Sequence, residues 1–225
     1  MRDVRIRFSK TGKARYISHL DMTRCFARAF FRTGIPLWFT EGFNPRPYMT
    51  FTSPLTLGAE SVAEALDIRL EDESMTDEEV ARLLDEALPP DLHILKAAPP
   101  AQKMNAIRAS RYRITVEPGT HTADALCEAF RAIAERDHLP VEKSGKKGKH
   151  KVMKTIDLAE YLDELSVDTD DEGRVVLLVT LPSSPQFGIN PRLLLDKFLK
   201  EAGEEPVRVR MVREALYCED GVLFE

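Results

Sequence analysis

One short stretch near the N-terminus combines residue types that can hold a nucleic acid. Residues 14–21 read ARYISHLD and place a cation, an aromatic ring and an imidazole together, as Arg15, Tyr16 and His19. A guanidinium and an imidazole can grip a phosphate while the phenol ring stacks on a base, a combination found in sites for single-stranded nucleic acid. Ser18 is explained as the cap of a following helix. His19 in the first helical turn faces the positive end of the helix dipole and is no natural stabiliser there. A lone histidine with no evident partner is nevertheless also explained by a structural role.

A second stretch, residues 41–47, reads EGFNPRP. Glycine permits positive φ, Asn-Pro favours a turn, and two prolines stiffen it, so a rigid turn accounts for much of this sequence. That explanation does not require Phe43 or Arg46. A guanidinium held between two prolines is pre-organised for an anion. We therefore expect Phe43, Asn44 and Arg46 to bind the same ligand as the first stretch.

The charge of the chain is unevenly distributed. The overall net charge is −5, but residues 1–60 carry ten Lys/Arg against four Asp/Glu, and residues 61–100 carry three against eleven. Residues 143–154 contain six lysines and no acid. Local clustering of like charge matters more for the electric field than the sum, so this pattern favours a polyanionic partner. Within the lysine-rich loop, the residues expected to contact it are Lys146, Lys147 and Lys149.

Composition restricts the class of protein and the cofactors. No apolar run approaches the roughly 20 residues that a membrane span needs, and the N-terminus lacks the apolar stretch of a signal peptide. We therefore expect a cytoplasmic protein without a membrane partner. The three cysteines, Cys25, Cys127 and Cys218, are far apart. Their spacing suits neither a disulfide framework nor a zinc or iron–sulfur site, so we expect no metal and no cofactor.

Hydrophobic periodicity predicts an α+β fold in two similar halves. In the first half, strands are predicted over 4–8, 35–40, 48–52, 63–70 and 92–97, and helices over 18–33 and 77–88. In the second half, strands are predicted over 112–116, 141–142, 151–157, 175–181 and 207–216, and helices over 122–136 and 190–202. A Pro-rich linker, residues 99–103, separates the halves. The order predicts two ferredoxin-like (split βαβ) domains in tandem, residues 1–104 and 105–225.

This topology also predicts how the two stretches lie in space. The 44–45 turn is expected to join the second and third strands of the first half. It would then lie at the same end of the sheet as the loop before the first helix. Arg46 and His19 are therefore predicted to lie within side-chain reach of one ligand.

The motifs of the N-terminal part resemble those of a known family. The residues that carry the resemblance are 14–21, 28–29, 32–37, 42–47 and 54–58 with Ser61, and weaker similarity continues at 156–158 and 190–192. Together they resemble the uncharacterised radical-SAM-associated domain family. Its members occur free-standing or C-terminal to radical SAM proteins with a cobalamin-binding-like region. The resemblance implies a radical SAM protein as partner. Because the three cysteines cannot hold the iron–sulfur cluster of that chemistry, this chain is expected to be the accessory half.

Three functions remain open from the sequence. The first is a non-catalytic accessory that binds RNA, either tRNA or rRNA, or presents a substrate to the radical SAM enzyme. The second is a metal-independent endoribonuclease with His19 as general acid/base and Tyr16, with Lys13 or Arg15, stabilising the phosphorane. The third is a protein-only adaptor that uses the acidic helix at 77–86.

Overall fold

The computed structural model describes residues 1–147 and 150–225, with side chains for all of these except 144–152 and 220. The described residues form a mixed α+β structure with a large mixed sheet and four α-helices. None of the helices described is long and apolar enough to cross a membrane. Contacts divide the chain into two compact units: Met1–Arg108, Ser184–Gln186 and Val212–Glu225 form the first, and Ala109–Ser183 and Phe187–Met211 form the second. The predicted domain boundary at 104/105 stays a prediction.

The first unit contains four strands and two helices that follow one another along the chain. They are β1 (Arg2–Lys10), α1 (His19–Thr33), β2 (Met49–Phe51), β3 (Glu60–Leu70), α2 (Asp77–Ala87) and β4 (Leu92–Ala98). The strand order is β4-β1-β3, and β2 pairs with β3 as well. All three pairings are antiparallel. The apolar face of this sheet packs against the helices, with Phe8, Phe26 and Leu66 fully buried.

Local capping sets the ends of both helices in the first unit. The Ser18 hydroxyl accepts the Asp21 N–H at 3.1 Å, and α1 ends at Gly34, whose φ is 67°. The Asp21 carboxylate accepts the Ser18 hydroxyl at 2.7 Å, so the cap lacks the reciprocal backbone contact of a capping box. The full reciprocal box occurs at α2, between Thr76 and Glu79. The predicted start and end of α1 are thus confirmed.

The segment between α1 and β2 differs from the prediction. In place of a strand over 35–40, the chain makes isolated bridges from Leu37 to Leu70 and from Phe39 to Pro47. The 44–45 turn therefore belongs to a hairpin that precedes β2, whereas residues 52–59 connect β2 to β3. Alternation of apolar residues predicts extended chain, but it cannot distinguish a sheet strand from the arm of a protruding hairpin.

The second unit contains five strands of its own, two helices and part of the last strand. They are β5 (Ala109–Glu117), α3 (Ala123–Ala134), β6 (Pro140–Lys147), β7 (His150–Asp157), β8 (Ser166–Thr169), β9 (Val175–Pro182), α4 (Pro191–Ala202) and β10 (Arg208–Tyr217). The order of the main-sheet strands is β10-β5-β9-β8, and β6 pairs with β7 in a separate two-stranded sheet. The sequence prediction missed β8, a four-residue strand. Residues 212–217 of β10 belong to the first unit, where Arg213 pairs in parallel with Ser61 of β3.

A buried carboxylate fixes two turns of the second unit to one another. Glu204, directly after α4, accepts backbone N–H bonds from Gly119 at 2.6 Å and from Thr120 and His121 at 3.0 Å each. The His121 ring nitrogen Nδ1 lies 2.8 Å from the same carboxylate. Burial opposes ionisation, but the hydrogen bonds outweigh it and lower the pKa of Glu204 to about 2. The turn is tight here, since a Cβ on Gly119 would lie 2.1 Å from the Glu205 carbonyl oxygen.

Candidate ligand site at the start of helix α1

Two connections of the first unit meet at one end of its sheet. After β1 the chain makes a 3-10 turn over Gly12–Tyr16 and then enters α1. The connection between β2 and β3 reaches the same place, because the Gly58 N–H donates to the Arg15 carbonyl at 2.9 Å. The first predicted stretch therefore does lie in a turn at a helix start. Its neighbour in space is the 52–59 connection.

Arg15 is held from two sides at this end of the sheet. Its Nη1 donates to Glu60 Oε1 at 3.2 Å, and its guanidinium lies 4.8 Å from the centre of the Tyr16 ring. Its Nε is buried and has no hydrogen-bond partner among the described residues. Tyr16 is 62% exposed. The arrangement fixes a cation next to an aromatic ring that solvent still reaches.

His19 lies in the first turn of α1 and packs edge-on against Phe51, with ring centres 5.5 Å apart. Its Nδ1 is buried, and the described part of the chain offers it no hydrogen-bond partner. The ring as a whole is half-buried. Nε2 is therefore the nitrogen with which His19 can meet a ligand.

A fully buried ion pair lies under this turn. Arg213 of β10 donates through Nε to Glu64 Oε1 at 3.0 Å, and its Nη2 donates to the same oxygen. Both of its Nη atoms also donate to the Ser53 carbonyl at 3.1 Å. Thr52 adds a longer contact of 3.4 Å to Glu64. The pair thus joins β3, β10 and the 52–59 connection into one polar cluster.

Lys10, the last residue of β1, is buried at the same end. Its Nζ donates to the Ile17 carbonyl at 3.0 Å, its one hydrogen bond within the described residues. Burial lowers the pKa of the Lys10 ammonium, Glu64 partly opposes this, and Arg213 lowers the pKa further. With Arg15 and Glu60, the cluster pairs three cationic side chains with two carboxylates.

The motifs of the sequence do not include Lys10, Glu60, Glu64 or Arg213. One signal was available for Glu64, which interrupts the otherwise apolar start of a predicted strand. Arg213 is separated from Glu64 by most of the chain, and only the parallel pairing of β10 with β3 brings the two together. A single sequence contains no signal for that pairing.

The residues of the second stretch lie on the hairpin that precedes β2. Phe43 is fully exposed, and Asn44 and Arg46 are exposed as well. The base of the hairpin joins β3 through the Trp38 N–H, which donates to the Arg69 carbonyl at 2.8 Å. Arg69 is next to the end of β3 opposite the Glu60 end, where the α1 site lies. The premise that placed Arg46 beside His19 was therefore wrong, because residues 35–40, the predicted second strand, form no strand of the sheet and the 44–45 turn closes a hairpin before β2.

The lysine-rich segment predicted as a loop lies mostly in the paired strands β6 and β7, and its side chains are described in part. Lys143 donates to the Gly188 carbonyl and lies 5.3 Å from the centre of the Phe187 ring. Lys149 and the side chains of Lys146 and Lys147 lie outside the described residues. Their predicted role in binding a polyanion stays a prediction.

Comparison with known proteins gives a family and a set of similar solved structures. A family model described as "Uncharacterized protein conserved in bacteria (DUF2344)" matches residues 3–191. A chain of the "Crystal Structure of a Cbf5-Nop10-Gar1 Complex" is similar in structure, with a TM-score of 0.47 and 9% sequence identity. That similarity covers 93% of this chain and 48% of the other, so this chain spans about half the length of that one. No curated protein matches the sequence.

Proposed function

The chain belongs to the DUF2344 family of uncharacterised proteins conserved in bacteria. From this premise we propose that the chain itself binds RNA and that it acts as a non-catalytic accessory of a radical SAM enzyme. The radical SAM partner is proposed from the sequence resemblance alone. RNA binding is proposed from the site at the start of α1. The RNA is a single-stranded segment of tRNA or rRNA, which the accessory presents to the enzyme.

The observation that carries the RNA proposal is the environment of Arg15. Glu60 and the Tyr16 ring hold the guanidinium in place, so little side-chain entropy is lost when a phosphate binds. The exposed Tyr16 ring offers a surface on which a base can stack, whatever its identity. Lys10 adds positive charge beneath the turn, which strengthens the attraction for a phosphate.

The environment of His19 supports a binding role over a catalytic one. A general base of the histidine type is commonly oriented by a third group that accepts from its second ring nitrogen. Among the described residues, no carboxylate or other partner reaches Nδ1 of His19. We propose that His19 donates a hydrogen bond from Nε2 to the RNA.

We also propose that each compact unit is a ferredoxin-like domain. In the first unit, the order β4-β1-β3-β2 with antiparallel neighbours supports this topology. In the second unit, the order β10-β5-β9-β8 repeats it, with the β6–β7 pair inserted between α3 and β8. The open sheet face of such domains is a frequent RNA-binding surface, although that similarity is only an analogy.

Replacing Arg15 by alanine is expected to weaken the binding of a single-stranded RNA about ten- to a hundred-fold. The reason is the loss of a charge-assisted hydrogen bond, which contributes about 1.5–3 kcal/mol. Fluorescence anisotropy of a labelled oligoribonucleotide measures the effect. The matched control is Arg24→Ala, which removes an exposed arginine of α1 paired with Asp21. Equal loss in both variants would indicate unspecific attraction and would contradict the proposal.

The lysine-rich loop provides a second prediction. Changing Lys146, Lys147 and Lys149 together to alanine is expected to weaken binding of all RNA sequences alike. In a plot of the logarithm of affinity against the logarithm of salt concentration, each phosphate contact to a single strand contributes a slope of about −0.7. Loss of three contacts should therefore make the slope less negative by about 2. Titrations at several salt concentrations measure it. An unchanged slope would show that the loop does not contact the RNA.

Two further experiments separate the alternative functions. Incubating labelled RNA with the pure chain in EDTA tests the endoribonuclease, and cleavage that disappears in His19→Ala would establish it in place of the accessory role. Co-purification with a radical SAM protein of the same genome tests the partner. Stable association without any RNA affinity would instead favour a protein-only adaptor.

A further inference from the structure

A cavity of the first unit has none of the α1-site residues Arg15, Tyr16 and His19 in its lining. Its volume is about 590 Å³, within the range of small-molecule sites. Its lining includes Asp3 of β1, Thr50 of β2 and Asp67 of β3, together with residues 100–105. Tyr48 also lines the cavity.

The Tyr48 ring is fixed by its neighbours. It packs against Trp38, with ring centres 5.8 Å apart, and the Arg69 guanidinium lies 4.9 Å from its centre. The same guanidinium lies 5.5 Å from the Trp38 ring. A half-buried ring held in this way can accept a flat partner without losing side-chain freedom.

Two carboxylates that line the cavity, Asp3 and Asp67, present hydrogen-bond acceptors. Their net charge is small because each is paired with an arginine. Asp3 accepts two bonds from Arg69, at 2.6 and 3.0 Å, and Asp67 accepts two from Arg5, at 2.8 Å each. Each carboxylate oxygen has a further lone pair available, since one donor uses only one of them. The bonds from Arg69 lower the pKa of Asp3, against the effect of burial, so that it stays an acceptor.

These features together fit a neutral, flat ligand that donates hydrogen bonds. We propose that the cavity binds a nucleobase with an exocyclic amine, cytosine or adenine, stacked on Tyr48 with its amine donating to Asp3 or Asp67. Thr50 supplies a hydroxyl that can pair with a ring nitrogen. Lys103, which also lines the cavity, supplies a cation for the phosphate that follows the base in RNA.

This inference rests on the proposed RNA binding for the source of the base, but it has its own test. Free nucleosides carry no phosphate, so their binding does not depend on Arg15. Cytidine, adenosine and uridine are titrated into the intact chain and followed by protein NMR. Cytidine and adenosine are expected to bind at least tenfold more tightly than uridine, which has no exocyclic amine to donate.

Variants of Tyr48 complete the experiment. Tyr48→Leu keeps an apolar side chain without the ring and is expected to weaken cytidine binding about tenfold, whereas Tyr48→Phe is expected to retain it. The unfolding midpoint of each variant shows whether it folds. Equal binding of uridine, or no effect of Tyr48→Leu, would overturn the proposal.

The outcomes distinguish this inference from the proposed function. If nucleosides bind as expected while Arg15→Ala leaves RNA affinity unchanged, the cavity proposal stands and the α1 site does not. If RNA binding depends on Arg15 while no nucleoside binds, the reverse holds. Agmatine carries the guanidinium group of an arginine side chain. It therefore tests whether the cavity binds an arginine of a protein partner instead of a base. Agmatine binding that exceeds cytidine binding would replace the nucleobase by such a partner.

Discussion

Replacing Glu64 by leucine is expected to lower the free energy of unfolding by about 3–5 kcal/mol, because it leaves Arg213 buried without its carboxylate. Arg213 is 1% exposed and Glu64 is 2% exposed, so water cannot take over the lost contact. Urea denaturation, monitored by circular dichroism, measures the change. The effect should be among the largest of any single substitution in the first unit.

Two companion variants make this expectation specific to the buried pair. The double variant Glu64→Leu with Arg213→Met removes both charges and should recover much of the lost stability. Arg82→Ala removes one partner of the exposed pair with Glu86 and should cost only about 0.3–0.5 kcal/mol. A Glu64→Leu variant as stable as Arg82→Ala would contradict the assigned role of the pair.

Glu204→Gln is the second substitution with a large expected effect, and that effect depends on pH. The pKa of Glu204 is about 2 in the folded chain against 4.5 for an ordinary glutamate. A carboxylate with a lowered pKa stabilises the folded state fully when the pH is above the pKa that it has in the unfolded chain. The stabilisation is lost as the pH falls from about 4.5 toward 2. The difference corresponds to about 3 kcal/mol at neutral pH.

The measurement compares unfolding of the wild-type chain and Glu204→Gln from pH 7 to pH 2.5. The free-energy difference between them is expected to be largest above pH 5 and to shrink steadily below it, because protonated Glu204 resembles glutamine. The neighbouring exposed residue provides the control, and Glu205→Gln should show no such trend. A difference that stays constant with pH would mean that the ionised carboxylate is not what holds the two turns.

The buried pair also affects the proposed RNA site. Arg213 donates to the Ser53 carbonyl and so fixes the start of the 52–59 connection. That connection reaches the Arg15 carbonyl through Gly58. Loss of the pair should therefore loosen the turn that carries Arg15. For this reason, the unfolding midpoint of each Glu64 variant should be measured together with its RNA binding.

Elements controlled by local interactions could be predicted from the sequence alone. The α1 helix begins after Ser18 and ends at Gly34, and α4 begins with Asn190 and Pro191, as their residue types indicate. A cap contacts backbone within three residues, and a glycine at positive φ needs no tertiary partner. For the same reason the sequence also placed Arg15, Tyr16 and His19 in a turn at a helix start.

Contacts between distant segments could not be predicted in this way. Leu37 and Phe39 have the apolar alternation of a strand. Leu37 pairs with β3 at Leu70, but Phe39 pairs with Pro47 in the hairpin that carries Arg46. Apolar alternation specifies extended chain and not its pairing partner, because pairing depends on which strands the fold brings side by side. The nearness of Arg46 and His19 was inferred from a second sheet strand that residues 35–40 do not form.

The sequence by itself determined the helices, the predicted site turn and the uneven distribution of charge. The tertiary structure alone decided that Glu60 pairs with Arg15 and that the pairing of β10 with β3 brings Arg213 to Glu64. It likewise assembled the cavity beside Tyr48 from three strands and a linker. The physical reason is range: caps and turns act within a few residues, whereas burial and ion pairing depend on long-range contacts that no local pattern specifies.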